Sequence, residues 1–306
     1  MNYRHAYHAG NFGDVLKHVV LMLCLEHLKK KDTPFRVIDT HAGAGRYRLD
    51  HTEAAKTEEW RGGIGRLFGT DAAPLPPQIA RLLAPYLDAV RAENHAGGLT
   101  MYPGSPALVQ SALRPGDSLV ANELHPDEGA LLETTLGKDK LCKVSHLDGY
   151  AALKALLPPK ERRGLILIDP PFEQPGELLR MSQSLAEAIK RFATGIYLLW
   201  YPIKDDKPIA RFHRGLLETT EAAGLKPPLK VELLLRPLRN PLVLNGAGVA
   251  VVNAPFQLAD ELASILPLLG ERFGEAGKGF YELKNIERLQ PSVTANLKSP
   301  QRRGDK

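Results

Sequence analysis

The sequence predicts an α/β protein built on a mostly parallel, doubly wound sheet that carries a small helical insertion. Three observations lead there. Short apolar runs alternate with stretches of helical periodicity, a Gly-rich turn follows the first run, and one connection is too long for a simple crossover. A composition of 43% hydrophobic and 25% charged residues belongs to an ordinary globular protein, and 306 residues suffice for a sizeable core.

The first element is a helix over residues 14–30, with Val15, Leu16, Val19, Val20, Leu23 and Leu28 on helical spacing and three lysines at its end. Residues 35–39 read as a short buried strand. Further strands are expected at 118–122, 142–146, 165–168, 196–200, 231–235 and 249–253, with helical or loop text between them. About 70 residues separate the first Gly-rich turn from the second strand, where a crossover needs about 30. Inside that stretch Ile79, Leu82, Leu83, Tyr86, Leu87 and Val90 form a helical stripe, preceded by Pro74, Pro76 and Pro77. Residues 50–98 therefore read as an inserted helical subdomain. It is either an elaborated surface loop or a substrate-recognition lobe. Residues 1–49 and 99–290 form the main domain, and 291–306 read as a disordered, solvated basic tail.

The net charge of +5 gives a weak pull toward an anionic partner. Much of the excess lies in the tail, where Lys298, Arg302, Arg303 and Lys306 face only Asp305. No apolar run is long enough to span a membrane, and Met1-Asn2-Tyr3-Arg4-His5 opens no signal peptide. Cys24 and Cys142 sit in apolar surroundings, as thiols of a reducing compartment do, so a cytoplasmic location is expected.

The chemistry is carried by strand ends. Val37-Ile38-Asp39-Thr40-His41-Ala42-Gly43-Ala44-Gly45 lets a ligand approach the backbone closely at the edge of the sheet, although Arg48 stands where a dinucleotide fingerprint has its third glycine. Glu123, after the next strand, is suited to a ribose diol. Asp148-Gly149, after the one following, is suited to an adenine amino group with room left for its ring. In that order the three describe a pocket for S-adenosylmethionine. The most specific motif is Asp169-Pro170-Pro171-Phe172 after Leu165-Ile166-Leu167-Ile168. Two prolines force the chain out of the sheet. Asp169 and the Pro170 carbonyl can then accept the two N–H groups of an exocyclic amine, while Phe172 offers a stacking face.

These strings, with Tyr3-Arg4-His5-Ala6-Tyr7-His8-Ala9-Gly10-Asn11, Asp14-Val15-Leu16-Lys17-His18, Tyr102-Pro103-Gly104-Ser105-Pro106 and Glu123-Leu124-His125-Pro126, resemble the RlmJ family of 23S rRNA adenine-N6 methyltransferases. The similarity runs from residue 2 to about residue 270. It implies a Rossmann-like, S-adenosylmethionine-dependent methyltransferase sheet with a helical insertion, acting on 23S rRNA. It further implies cofactor contacts at Lys17, His18, His41, Ser105, Glu123, Asp148 and Gly149, with Lys17 near the methionine end. Asp169 would be the catalytic residue, and Tyr3, His5, Pro170 and Phe172 would meet the substrate. The family commonly has tyrosine where Phe172 stands, so a phenol hydrogen bond is missing here. A metal site is not expected: His5, His8, His18 and His41 lack a cysteine partner or a helical His pair, and methyl transfer from a sulfonium needs no metal. A monomer with no obligate protein partner is expected. Two rivals stay open: a DNA adenine-N6 methyltransferase, and a non-catalytic nucleotide- or RNA-binding module on the same fold.

Overall fold

The structure is a computed structural model that describes residues 5–69, 72–95 and 97–288, so Tyr3 and the basic tail lie outside it. The chain opens with α1 (Phe12–Lys29), whose first turn is capped by the Asn11 side chain accepting from the Asp14 amide. The central sheet has eight strands. In chain order they are β1 (Arg36–Asp39), β4 (Ser118–Asn122), β5 (Cys142–Ser145), β6 (Gly164–Ile168), β7 (Ile196–Ile203), β8 (Leu229–Leu234), β9 (Gly246–Val252) and β10 (Phe280–Asn285). Their spatial order is β10-β8-β9-β7-β6-β1-β4-β5. A separate antiparallel pair, β2 (Arg46–Arg48) and β3 (Met101–Pro103), brackets residues 49–100.

The pairs from β5 through β7 are parallel, as the alternation of strands and helices predicts. The pairs β7–β9, β9–β8 and β8–β10 are antiparallel. The cause lies in the connection: residues 235–245 join β8 to β9 with no helix, and only an antiparallel hairpin closes over so short a link.

Alternate side chains of each strand enter two cores. Leu165 and Leu167 join the layer of α1, α5 (Ser105–Ala112) and α10 (Leu258–Phe273). Ile166 and Ile168 join that of α7 (Gly149–Leu156), α8 (Glu177–Arg191) and α9 (Asp206–Ala222). Between β2 and β3 the ordered elements are helical: α2 (Thr52–Thr57), α3 (Glu59–Gly62) and α4 (Pro77–Ala92). The expected stripe is the face α4 turns inward. Leu83, Tyr86, Leu87 and Val90 are buried in the core of α1, and Ile79 and Leu82 pack against it.

Candidate active site

At the C-terminal edge of β1, β4, β5 and β6 lies a cavity of about 250 Å³. Its wall includes Lys17, His18, His41, Ser105, Glu123, Asp148, Gly149, Asp169, Pro170 and His5, brought together from seven separate stretches of chain. Phe172 does not line it. That residue has φ +53°, a strained conformation for a bulky side chain, and its ring meets Trp200 edge-on at 5.8 Å. Tyr3 falls outside the described residues.

The turn after β1 is shaped by Gly43 and Gly45, at φ +60° and +78°. A Cβ on Gly43 would stand 2.1 Å from the Tyr47 hydroxyl. Glu123 is held by two backbone donors, the amides of Gly43 and His125, both at 2.8 Å. Asp148 caps α7, accepting from the amides of Tyr150 and Ala151 through one oxygen. Gly149 lets the chain pass His41: a Cβ there would lie 2.3 Å from His41 Nε2 and 2.8 Å from the Thr40 carbonyl.

The deepest part is charged. Lys17 Nζ lies 2.5 Å from Asp169 Oδ2 and 2.8 Å from Asp14 Oδ1. Asp14 Oδ2 accepts from His5 Nε2 at 2.8 Å and from the Gly10 amide at 3.0 Å. Burial opposes both charges, but the network outweighs it. Asp14 is held well below the usual carboxylate range by His5 and Lys17, and Lys17 is raised by Asp14 and Asp169. The Lys17 ammonium is therefore engaged by two carboxylates of the protein itself. Asp39, next to this network, is pushed up to about 6 by burial, against a 2.6 Å hydrogen bond from the Ser105 hydroxyl. Burial drives His18 well below its ordinary value, with Lys17 adding to the effect, and pushes His41 down to about 4. His18 Nδ1 pairs with the Tyr102 hydroxyl, while Nε2 is buried without a partner among the described residues.

Sequence reasoning missed Asp14, Thr40, Tyr102 and the mouth of the cavity. There Tyr150 donates to Glu177 at 2.7 Å and Arg180 lies over the Tyr150 ring. A signal for Asp14 was present: Asp14 and Lys17 stand one turn apart in the apolar first part of a helix, and buried charges call for partners. No group of three or more His, Cys, Asp or Glu residues arranged for a metal occurs among the described residues, and no helix among them is long and apolar enough to cross a membrane.

Comparison with known proteins identifies the family. The chain is 42% identical over 279 residues to ribosomal RNA large subunit methyltransferase J of Escherichia coli K12, covering 91% of this chain and 96% of that one. It is 41% identical over 287 residues to the protein of the same name in Haemophilus influenzae, covering 94% and 99%. The crystal structure of protein LPL1258 from Legionella pneumophila superposes with a TM-score of 0.80 at 33% identity, covering 92% of this chain and all of that one. A family model described as ribosomal RNA large subunit methyltransferase D, RlmJ, matches residues 32–286, and the chain belongs to this methyltransferase family.

Proposed function

We propose that this protein methylates the exocyclic N6 of one adenine in 23S rRNA, in the cytoplasm. The family and fold imply S-adenosylmethionine as methyl donor. The relatives from Escherichia coli and Haemophilus influenzae are, by name, methyltransferases of large-subunit ribosomal RNA, which supports the substrate. The cavity fits the donor in two respects. Gly149 leaves a cradle that a Cβ would fill, and His18 Nε2 is a buried nitrogen with no partner among the described residues. Glu123 would hold the ribose hydroxyls and Asp148 the adenine amine, while Ser105, His18 and His41 complete the wall. No residue is assigned to a metal.

When bound, the donor supplies an electrophilic methyl group on a sulfonium. The observation that carries the reading is the Lys17–Asp169 contact. Lys17 occupies Oδ2 of Asp169, leaving Oδ1 with no partner among the described residues, and Pro170 lines the same cavity, where its carbonyl would be the second acceptor. Two acceptors side by side suit an amine with two N–H groups. An adenine N6 lone pair is delocalised into its ring, and pulling its hydrogens toward two acceptors frees that pair for in-line attack. Asp169 Oδ1 then receives the proton the nitrogen gives up. The target base must leave its stack first, so alignment and polarisation are the protein's main contributions. Phe172 would supply the stacking face, with its ring turned from Trp200.

Nucleoside mass spectrometry after reaction with a 23S rRNA transcript and with a DNA hairpin of matched sequence tests this. The expected product is N6-methyladenosine at one RNA position. Equal methylation of the DNA, or a methyl group on another nucleobase, would overturn it.

A further inference from the structure

Two of the histidines that line the cavity, His18 and His41, are backed by hydroxyl groups that determine which ring nitrogen carries the proton. Thr40 Oγ1 lies 2.8 Å from His41 Nδ1 and 2.9 Å from the Leu167 carbonyl oxygen. A carbonyl can only accept, so the one hydroxyl hydrogen goes to Leu167. His41 Nδ1 is then the donor to Thr40. Burial pushes the ring's pKa down to about 4, so at neutral pH it carries a single N–H, and Nε2 is a bare lone pair. That lone pair has no partner among the described residues, and it abuts Gly149.

His18 is wired in the opposite sense. Its Nδ1 lies 2.8 Å from the Tyr102 hydroxyl, which lies 3.0 Å from that of Tyr86 on α4, and all three side chains are fully buried. Among the described residues Tyr86 has no acceptor except the Tyr102 oxygen, so it donates there. The Tyr102 hydrogen passes on to His18 Nδ1. The reverse order would strand the Tyr86 O–H inside the core. Burial and the neighbouring Lys17 keep the His18 ring neutral, so its one N–H is on Nε2, the nitrogen without a partner among the described residues.

We infer that the two rings present opposite polarity to the methyl donor, His18 an N–H and His41 a lone pair, with Tyr102 and Thr40 as the positioning residues that set them. The inference rests on the reading of this cavity as the S-adenosylmethionine site. An acceptor such as a carboxylate suits the His18 side, next to Lys17. An amine or hydroxyl suits the His41 side, next to Gly149.

Nitrogen-15 spectra of the histidine side chains in the ligand-free wild-type protein test the assignment without any ligand. The expected pattern is a proton on Nδ1 of His41 and on Nε2 of His18. Calorimetry with S-adenosylhomocysteine then tests the consequence. Thr40→Val and Tyr102→Phe should each weaken binding by about tenfold and leave the affected ring as a tautomer mixture, and Thr40→Ser should restore both. A purely structural role would lower the melting temperature and leave the tautomers alone. Reversed or mixed tautomers in the wild-type protein overturn the inference. The expected tautomers in a wild-type protein that fails to bind S-adenosylhomocysteine would instead overturn the cofactor reading of the cavity.

Discussion

Two ion-pair networks serve the two halves of the sheet, one buried and one partly exposed, and they differ in how their carboxylates are used. At the parallel half Asp14, Lys17 and Asp169 form a chain that ends in an oxygen with no partner among the described residues, on a residue that lines a cavity. At the antiparallel half, Lys230 bridges Glu282 at 2.6 Å and Glu232 at 3.5 Å. There Tyr201 donates to Glu232 at 3.0 Å, and Lys284 takes the remaining Glu282 oxygen at 2.5 Å. Every carboxylate oxygen of that second network is engaged by the protein. The same residue types thus do different jobs: a closed network ties strands together, and an open one keeps bonding capacity for something that arrives later.

The largest effect expected of any single substitution is on the closed network. Lys230→Met leaves two buried or half-buried carboxylates without their shared cation, which should cost about 3–5 kcal/mol of stability. Methyl transfer per folded molecule should be unchanged. Chemical denaturation paired with single-turnover assays checks both. A lost rate with intact stability would mean that the two networks communicate. The open network should respond in the opposite way. Asp169→Ala leaves Lys17 still paired with Asp14, so melting should shift little, while turnover should fall about 10²–10³-fold. Retention of more than a tenth of wild-type turnover at saturating substrate would remove Asp169 from its assigned role.

Phe172 sits between the two halves, with its ring edge-on to Trp200 of β7. If its face serves a base, Phe172→Tyr should be nearly neutral. Phe172→Ala should then lose about 1–3 kcal/mol of substrate engagement, a tenfold to hundredfold slower rate at limiting RNA. An alanine variant that melts far lower yet methylates normally while folded would assign the ring to packing with Trp200 alone.

How much of this was legible in the sequence follows from which contacts are local. Strand ends announce themselves, because an apolar run stopping at Asp39, Asn122 or Ile168 must leave the sheet there, and the cavity sits at those stops. The α4 stripe was legible for the same reason, its period being local. β10 was not. It begins with Phe280 and Tyr281, both exposed, and its half-buried positions are adjacent, so no alternation marks it. The reversal of direction at β9 had a readable cue, a helix-free link, that alternation along the chain outweighed. The links that give the cavity its electrostatics could not be read at all. Lys17 meets Asp169 across 152 residues and His18 meets Tyr102 across 84, and no local pattern specifies contacts over such separations.

The smallest effect concerns the outer end of the closed network and depends on pH. Glu282 is 39% exposed, yet hydrogen bonds from Lys230 and Lys284 outweigh the opposing effect of burial and hold its carboxyl down to about 2. A carboxyl lowered in the folded state binds its proton less readily than in the unfolded chain, whose value is near 4.5. Its stabilisation is therefore complete above about pH 5 and fades as the pH falls from 4.5 toward 2. Solvent screening limits the size to about 0.2–1 kcal/mol, despite the large shift. Glu282→Gln keeps the shape and removes the charge. Wild type and variant should then differ by about 1–2 °C in melting temperature at pH 7, and the gap should narrow steadily in melts taken down to pH 3. High salt should shrink the difference as well, because the pair is partly exposed. The Asp14–Lys17–Asp169 chain, only 3–14% exposed, offers the contrast: Asp14→Asn should lose stability that salt does not restore. A Glu282 gap that is the same at every pH would mean that packing, not charge, holds the outer strand.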